Sequence, residues 1–413
     1  MSKPNTKGTL LTLFFTVFID LLGVGIIIPV LAPLFLDPRV GIFEPTETPA
    51  HRLLMLGLLT ATFPLAQFFG APILGALADR HGRKKLLTIS MTGTLIGYFL
   101  FALGIVENSL LILFLSRALD GFTGGNISIA MSSIADISDE KSKPRNFGLI
   151  GMAFGLGFII GPYIGGKLAD PSIVSWFSYT TPFYFAALLS FISILMMLFL
   201  YKETLHEKIE RTVSFTSGFV NLGKAFLTPR LRTIFIVSFF LTFGFSFFTT
   251  FFQVFMVQKF SYNQSQIGDM FAYIGLFIAL TQGGLVRPVS KKATPSQMMI
   301  FAIPLLAIAL IALMIPDKSW VLYVIMPFIA IGQGFISTGT STITSSLADA
   351  SKQGEILGIG QSVNSLAQAI PPIVAGVIVS IDKHLPTLVA GGCTILAGII
   401  FWFGFMNRPA KED

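Results

Sequence analysis

The chain has 413 residues, of which 53% are hydrophobic and only 12% charged, with a mean hydropathy of +0.77. A soluble protein of that length needs far more charge to cover its surface, so the composition excludes a soluble globule and points to packed membrane helices. The net charge of +7 does not indicate a nucleic-acid partner, because most cations lie in short links between apolar runs, and the single cysteine, Cys393, excludes a disulfide framework or a cysteine metal site.

Apolar runs of bilayer-crossing length fall at about 10–36, 52–78, 86–106, 110–137, 146–169, 182–201, 233–257, 266–289, 297–315, 319–347, 355–380 and 386–406. The first follows Lys3 and Lys7 without a small-residue cleavage site, so it reads as an uncleaved helix. Twelve spans place 21 Lys and Arg on one side and 6 on the other, with Arg117 inside a span. Basic links resist translocation, so both termini are expected in the cytoplasm. Residues 202–232 form the longest polar stretch and divide six spans from six. The expected organisation is an amino-terminal half (1–201), a cytoplasmic linker (202–232) with one short surface helix near Phe215–Phe226, and a carboxy-terminal half (233–413).

Charges inside spans are costly unless paired or facing water, which makes them informative. Asp20 sits near the middle of span 1, in Asp20-Leu-Leu-Gly23-Val-Gly25-Ile-Ile-Ile-Pro29. It suits either a structural pair or a carboxyl group that binds and releases a proton. Span 2 carries Gln67 and ends in Gly75-Ala-Leu-Ala-Asp79-Arg80-His-Gly82-Arg83-Lys84-Lys85. A positive-inside anchor explains those cations but not the Asp and Gly within the turn. In span 4, Arg117 and Asp120 are three apart and share one helix face, followed by Gly121-Phe-Thr-Gly124-Gly125-Asn126 and closed by Asp136. That pair is either a static tie between helices or part of a proton site. Span 5 holds Gly157-Phe-Ile-Ile-Gly161-Pro162-Tyr-Ile-Gly165-Gly166, a groove for close helix contact. Its continuation Lys167-Leu168 lacks the Ser or Thr of a phosphate loop and follows no strand, so nucleotide binding is not expected.

The second half offers amides instead of charges. Gln361, Asn364 and Gln368 form one stripe on span 11, and Gln333, Gln282 and Gln253 lie on spans 10, 8 and 7. Lipid cannot satisfy such a stripe, so these residues, with Gln67 and Asn126, are candidates for substrate contact, although hydrogen bonding between helices explains any one of them. The histidines His51, His81, His206 and His384 lie in links or at span ends, so neither a catalytic set nor a metal site is expected.

The halves repeat: Asp120-Gly-Phe and Ser132-Ser-Ile-Ala-Asp136 return 213 residues on as Gln333-Gly-Phe and Ser345-Ser-Leu-Ala-Asp349. At that offset Arg117 becomes Ala330, so the ionisable pair belongs to the first half alone.

The Gly75–Lys85 link resembles the loop between the second and third helices of major facilitator transporters, and every specified position is met. The segments around Asp20, Arg117 and Gly161 resemble motifs of the drug and tetracycline/proton antiporter branch. The resemblance implies an all-α membrane protein with twelve transmembrane helices in two pseudo-symmetric six-helix halves, set in the cell inner membrane. It implies proton coupling at Asp20, Arg117 and Asp120, and an exporter motif at Gly157, Gly161, Pro162, Gly165 and Gly166. It also implies a cytoplasmic gate of Gly75, Asp79, Arg80, Gly82, Arg83 and Asp136, in which Arg83 meets Asp136 and Asp79 meets the start of span 11 near Glu355. The expected activity is proton-coupled export of small amphipathic molecules by a non-enzymatic monomer. Its partners would be substrate, protons and lipid, and the proton gradient would stand in place of any cofactor. The alternative on the same fold is a proton-coupled importer of a sugar, amino acid or siderophore.

Overall fold

A computed structural model describes residues 6–37, 40–138, 142–205, 215–226, 229–347, 353–382 and 384–406. Every regular element among them is helical: α1 (Thr6–Leu36), α2 (Pro49–His81), α3 (Arg83–Val106), α4 (Leu110–Thr123), α5 (Asn126–Asp136), α6 (Lys143–Leu168), α7 (Thr181–Phe199) and α8 (Ser217–Ala225). There follow α9 (Pro229–Phe260), α10 (Gln264–Leu280), α11 (Val286–Val289), α12 (Pro295–Ala312), α13 (Trp320–Ser346), α14 (Gln353–Ile378) and α15 (Leu385–Phe401). Helices satisfy every backbone group within the segment, which a hydrocarbon environment demands.

Among the described residues, ten of the twelve spans are helices long and apolar enough to cross a membrane. The other two depart for physical reasons. Span 11 is a continuous helix, α14, whose Gln and Asn residues lower its apolarity. Span 4, expected as one helix over 110–137, is two: α4 stops at Thr123 and α5 starts at Asn126. The intervening Gly124-Gly125 pair supplies no side chain to hold the turn, a common cause of helix interruption. Span 8 runs through a π-helical stretch at Thr281–Leu285 between α10 and α11.

The chain forms two compact units. Unit 1 comprises Met1–Thr48, Thr62–Gly218 and Tyr262–Ala272, and unit 2 comprises Pro49–Ala61, Phe219–Ser261 and Tyr273–Asp413. In unit 1, α1 packs along α6, while α3 packs on α4 and α7. The α1–α6 contact is made backbone to backbone: Gly157 faces Leu21 and Leu22, Gly161 faces Leu22 and Gly25, and Gly165 faces Ile26. Close approach of this kind replaces the hydrophobic drive that lipid cannot provide. Leu74, Leu87, Ile129, Ile134 and Met197 close an apolar core beneath it. In unit 2, α9 lies against α14 and α15, and α12 against α13 and α15. Phenylalanines ladder along α9, with Phe248 stacked on Phe252 at 5.0 Å. Within the linker, α8 leaves Phe219 and Val220 exposed while Leu222 and Ala225 pack near Phe235 and Ile356.

Candidate functional site

Unit 1 buries a polar cluster contributed by four helices. Ser109 caps α4 by accepting from Ile112 N, and the helical spacing then sets Arg117 and Asp120 on one face. Arg117 Nη1 donates to Asp120 Oδ2 at 2.9 Å, with both side chains under a tenth exposed. The Arg117 guanidinium also lies 4.5 Å from the centre of the Phe63 ring, a favourable place for a desolvated cation. Asp20 comes from α1, half-buried, within electrostatic reach of Asp120 and beside the carboxamide of Asn126 at the head of α5. From α3, Tyr98 approaches Asp20, Arg117 and Asp120, and Thr94 stands beside Asp120. Any side chain at Gly23 would collide with the Tyr98 hydroxyl, and Gly97 lies against Asp120 Cβ, so two glycines make room for the cluster. Asn126 Oδ1 is buried there with no hydrogen-bond donor among the described residues.

The α4–α5 break is stabilised by side chains. Ser90 Oγ donates to the carbonyl of Thr123. Gln67 Nε2 donates to Gly124 O at 2.9 Å, and Ser128 Oγ to Gly125 O at 2.8 Å. The two carbonyls between the helix ladders, of Thr123 and Gly124, are thus satisfied, as buried backbone groups must be, and Ser128 adds a bond to the carbonyl of the α5 cap Gly125. Gln67 therefore sits in a structural bond at the break.

At the other end of α5 lies a second cluster. Arg83 Nε donates to Asp136 Oδ2 at 2.7 Å, and Arg83 Nη1 is 3.2 Å from Asp79 Oδ1. The turn before α3 requires glycine, since Gly82 has φ +107°. Its tightness aims Arg83 N and Lys84 N at the Glu203 carboxylate, 3.0 and 3.1 Å away, where an anion is favoured by the helix dipole. The Tyr201 hydroxyl donates to Ser133 Oγ at 2.9 Å, and the one Thr204 hydroxyl proton faces two acceptors, the Tyr201 oxygen at 3.1 Å and Asp136 Oδ2 at 3.4 Å. Tyr201 lies just past the end of α7 and is buried. Arg80 is exposed, and Gly75 has space above it up to Ser128 Oγ. The Glu355 side chain and Asp349 lie outside the described residues.

Sequence reasoning missed Tyr98, Thr94, Tyr201, Glu203 and Thr204. The signal for Glu203 was present, as the first acid after span 6, next to Lys202 at the start of the linker. Tyr98 and Thr94 look like ordinary residues of an apolar helix until the fold sets them beside Asp120.

Gly166 packs against the backbone of Gln264 and Gly268, completing the use of the α6 glycines as contact surfaces. Beside it, Lys167 Nζ meets Asp269 Oδ2 at 2.9 Å and Ser265 Oγ at 2.8 Å. In unit 2, Asn364 Oδ1 accepts from Ser238 Oγ at 3.5 Å and Thr242 Oγ1 at 3.3 Å, and Gln361 Nε2 donates to Ser365 Oγ at 3.4 Å. Gln368 is exposed, Gln282 and Gln333 are half-buried, and Gln253 is buried in α9.

The family profile of the Major Facilitator Superfamily matches residues 13–372 and 288–413. The chain is similar to the quinolone resistance protein NorA of Staphylococcus aureus (strain MRSA252), at 30% identity over 94% of each chain. It is likewise 30% identical to the class C tetracycline resistance protein of Escherichia coli, over 91% of this chain and 90% of that one. The crystal structure of the human organic anion transporter MFSD10 (TETRAN) shares its fold with a TM-score of 0.75 at 22% identity, over 96% of this chain and all of the other. With its membrane-spanning helices, its resistance-protein relatives and its family-wide match, this chain is a multi-pass membrane protein belonging to the Major Facilitator Superfamily.

Proposed function

We propose that the protein is a proton-coupled exporter of small amphipathic molecules, working by alternating access with both termini in the cytoplasm. The observation that carries this reading is the cluster of half-buried Asp20 with buried Arg117 and Asp120 inside a membrane-spanning unit. Three ionisable groups at that depth are expensive to maintain and mark a functional pathway. Arg117 is already engaged by Asp120, while no cation among the described residues pairs with Asp20. Asp20 is therefore the carboxyl group that exchanges the proton, and the Arg117–Asp120 pair is the fixed charge that senses it. The two named relatives are resistance proteins, which favours export over uptake.

The remaining roles follow. Gln361, Gln368, Gln282, Gln333 and Asn364 offer amide groups to substrate, and the many phenylalanines suit an amphipathic molecule. Arg83, with Asp136, Asp79 and the Glu203 cap, forms the cytoplasmic latch, a two-state element that opens once per cycle. The α6 glycines let that helix move closely against α1.

The reading is tested in inside-out vesicles energised by a proton gradient. Accumulation of quinolones, tetracyclines or cationic dyes that collapses with the gradient is expected. Gradient-driven movement of a nutrient in the opposite sense would establish the importer instead.

A further inference from the structure

The break at Gly124–Gly125 gives α5 two functional ends. Its first residue, Asn126, lies beside Asp20, and its last, Asp136, holds Arg83. Eleven residues of α-helix span about 16 Å, so one short rigid element joins the proton site to the latch. The helix ladder is interrupted at the break, where the carbonyls of Thr123 and Gly124 are held by Ser90 and Gln67, so α5 can turn there as a unit.

Asn126 is completely buried, yet its amide is only half used. Nδ2 faces Met91 Sδ at 3.6 Å, and Oδ1 has no donor among the described residues. A buried carbonyl oxygen without a donor is costly, so a state of the cycle that supplies one is favoured. The neighbour able to supply it is Asp20. Ionised, Asp20 only accepts hydrogen bonds and takes Nδ2; protonated, it gains an O–H that Oδ1 can accept. The other titratable groups facing Asp20 are Asp120 from α4, which is itself paired with Arg117, and Tyr98 from α3. Helix α6 presents Gly157 and Gly161 along that stretch of α1, and α7 meets α1 through Ser193 on Thr16. Asn126 alone offers Asp20 both a donor and an acceptor from an element that leads to the latch.

We propose that Asn126 is a positioning residue that reads the protonation state of Asp20, and that α5, hinged at Gly124–Gly125, passes the reading to the Arg83–Asp136 pair. This rests on the assignment of Asp20 as proton carrier.

The test requires no knowledge of the substrate. Cys393→Ser removes the native thiol and Ser133→Cys places a reporter on α5, one turn from Asp136, where the serine is fully buried. Labelling by a hydrophilic maleimide is then timed on the full-length protein in inside-out vesicles at acidic and at alkaline pH. Each rate is divided by that of the same thiol in unfolded protein at the same pH, which removes the pH dependence of the thiolate itself. The expected result is a change of about fivefold or more in this corrected rate between the two, the lower range of ordinary coupling between sites. Asn126→Leu and the smaller Asn126→Ala are each expected to bring the ratio near one, whereas Asn126→Ser, which keeps a donor and an acceptor, retains it. Retention of the full ratio in both apolar variants overturns the inference, as does a parent protein with no pH response. A ratio that survives Asp20→Asn contradicts the proton assignment beneath it, which distinguishes the two failures.

Discussion

Arg83 and Asp136 are joined through Nε and Oδ2 at 2.7 Å, with side chains 9% and 23% exposed. The pair ties the start of α3 to the end of α5. Arg83 also meets Asp79, so one guanidinium serves two carboxylates on different helices. Removing one partner of a largely buried pair leaves an uncompensated charge, and the loss is far larger than for a surface pair. Asp136→Ala is expected to cost about 2–3 kcal/mol, discounted for the partial exposure of Asp136. Thermal unfolding in detergent followed by fluorescence-detected gel filtration measures this. The charge swap Arg83→Asp with Asp136→Arg recovers part of the loss if the pair acts directly, and none of it if each residue acts alone.

Gly82 is held at φ +107° with Glu203 pressed close above it. Gly82→Ala incurs both a left-handed backbone and a clash, so a loss of about 1–3 kcal/mol is expected. Glu203→Ala removes the cap from two helix amides and costs about 1 kcal/mol. The same unfolding assay compares them, and Gly82→Ala unchanged from the parent would refute the strained-turn account.

The α6 glycines separate into two kinds. Gly165 faces the backbone of Ile26, where no atom can yield, while Gly151 has open space above it. Gly165→Ala is expected to lower Tm by several degrees and to reduce the folded yield, while Gly151→Ala leaves both unchanged. Equal tolerance at the two positions would show that α1 and α6 do not touch in this way.

Lys167 and Asp269 form an ion pair at 2.9 Å, yet their side chains are 29% and 41% exposed. Water screens such a pair, so a double-mutant cycle with Lys167→Met and Asp269→Asn is expected to give a coupling of about 1 kcal/mol or less. The observed backbone packing of Gly166 on Gly268 is the stronger tie, and Gly268→Ala is predicted to cost more than either charge change.

Much of this architecture was legible in the sequence, because a bilayer-length apolar run dictates a helix almost regardless of detail. The Gly75–Lys85 link could also be read, since its charges had no place in an apolar span. The break at Gly124–Gly125 was hidden, because glycine pairs are tolerated inside membrane helices and the apolar run continues across them. Its meaning depends on Ser90 and Gln67, which arrive from α3 and α2. Tyr98 and Thr94 were invisible for a similar reason. Their proximity to Asp120 follows from Gly23 and Gly97 letting three helices close together, a tertiary fact with no local signature.

Proton release triggered by substrate, measured with a pH-sensitive dye in inside-out vesicles carrying the parent protein and its Asp20→Asn variant, tests the central claim most directly. The account predicts gradient-collapsing proton release with an amphipathic drug that falls to background in the variant while the protein remains folded. Undiminished release from Asp20→Asn would contradict it and move the proton to Asp120.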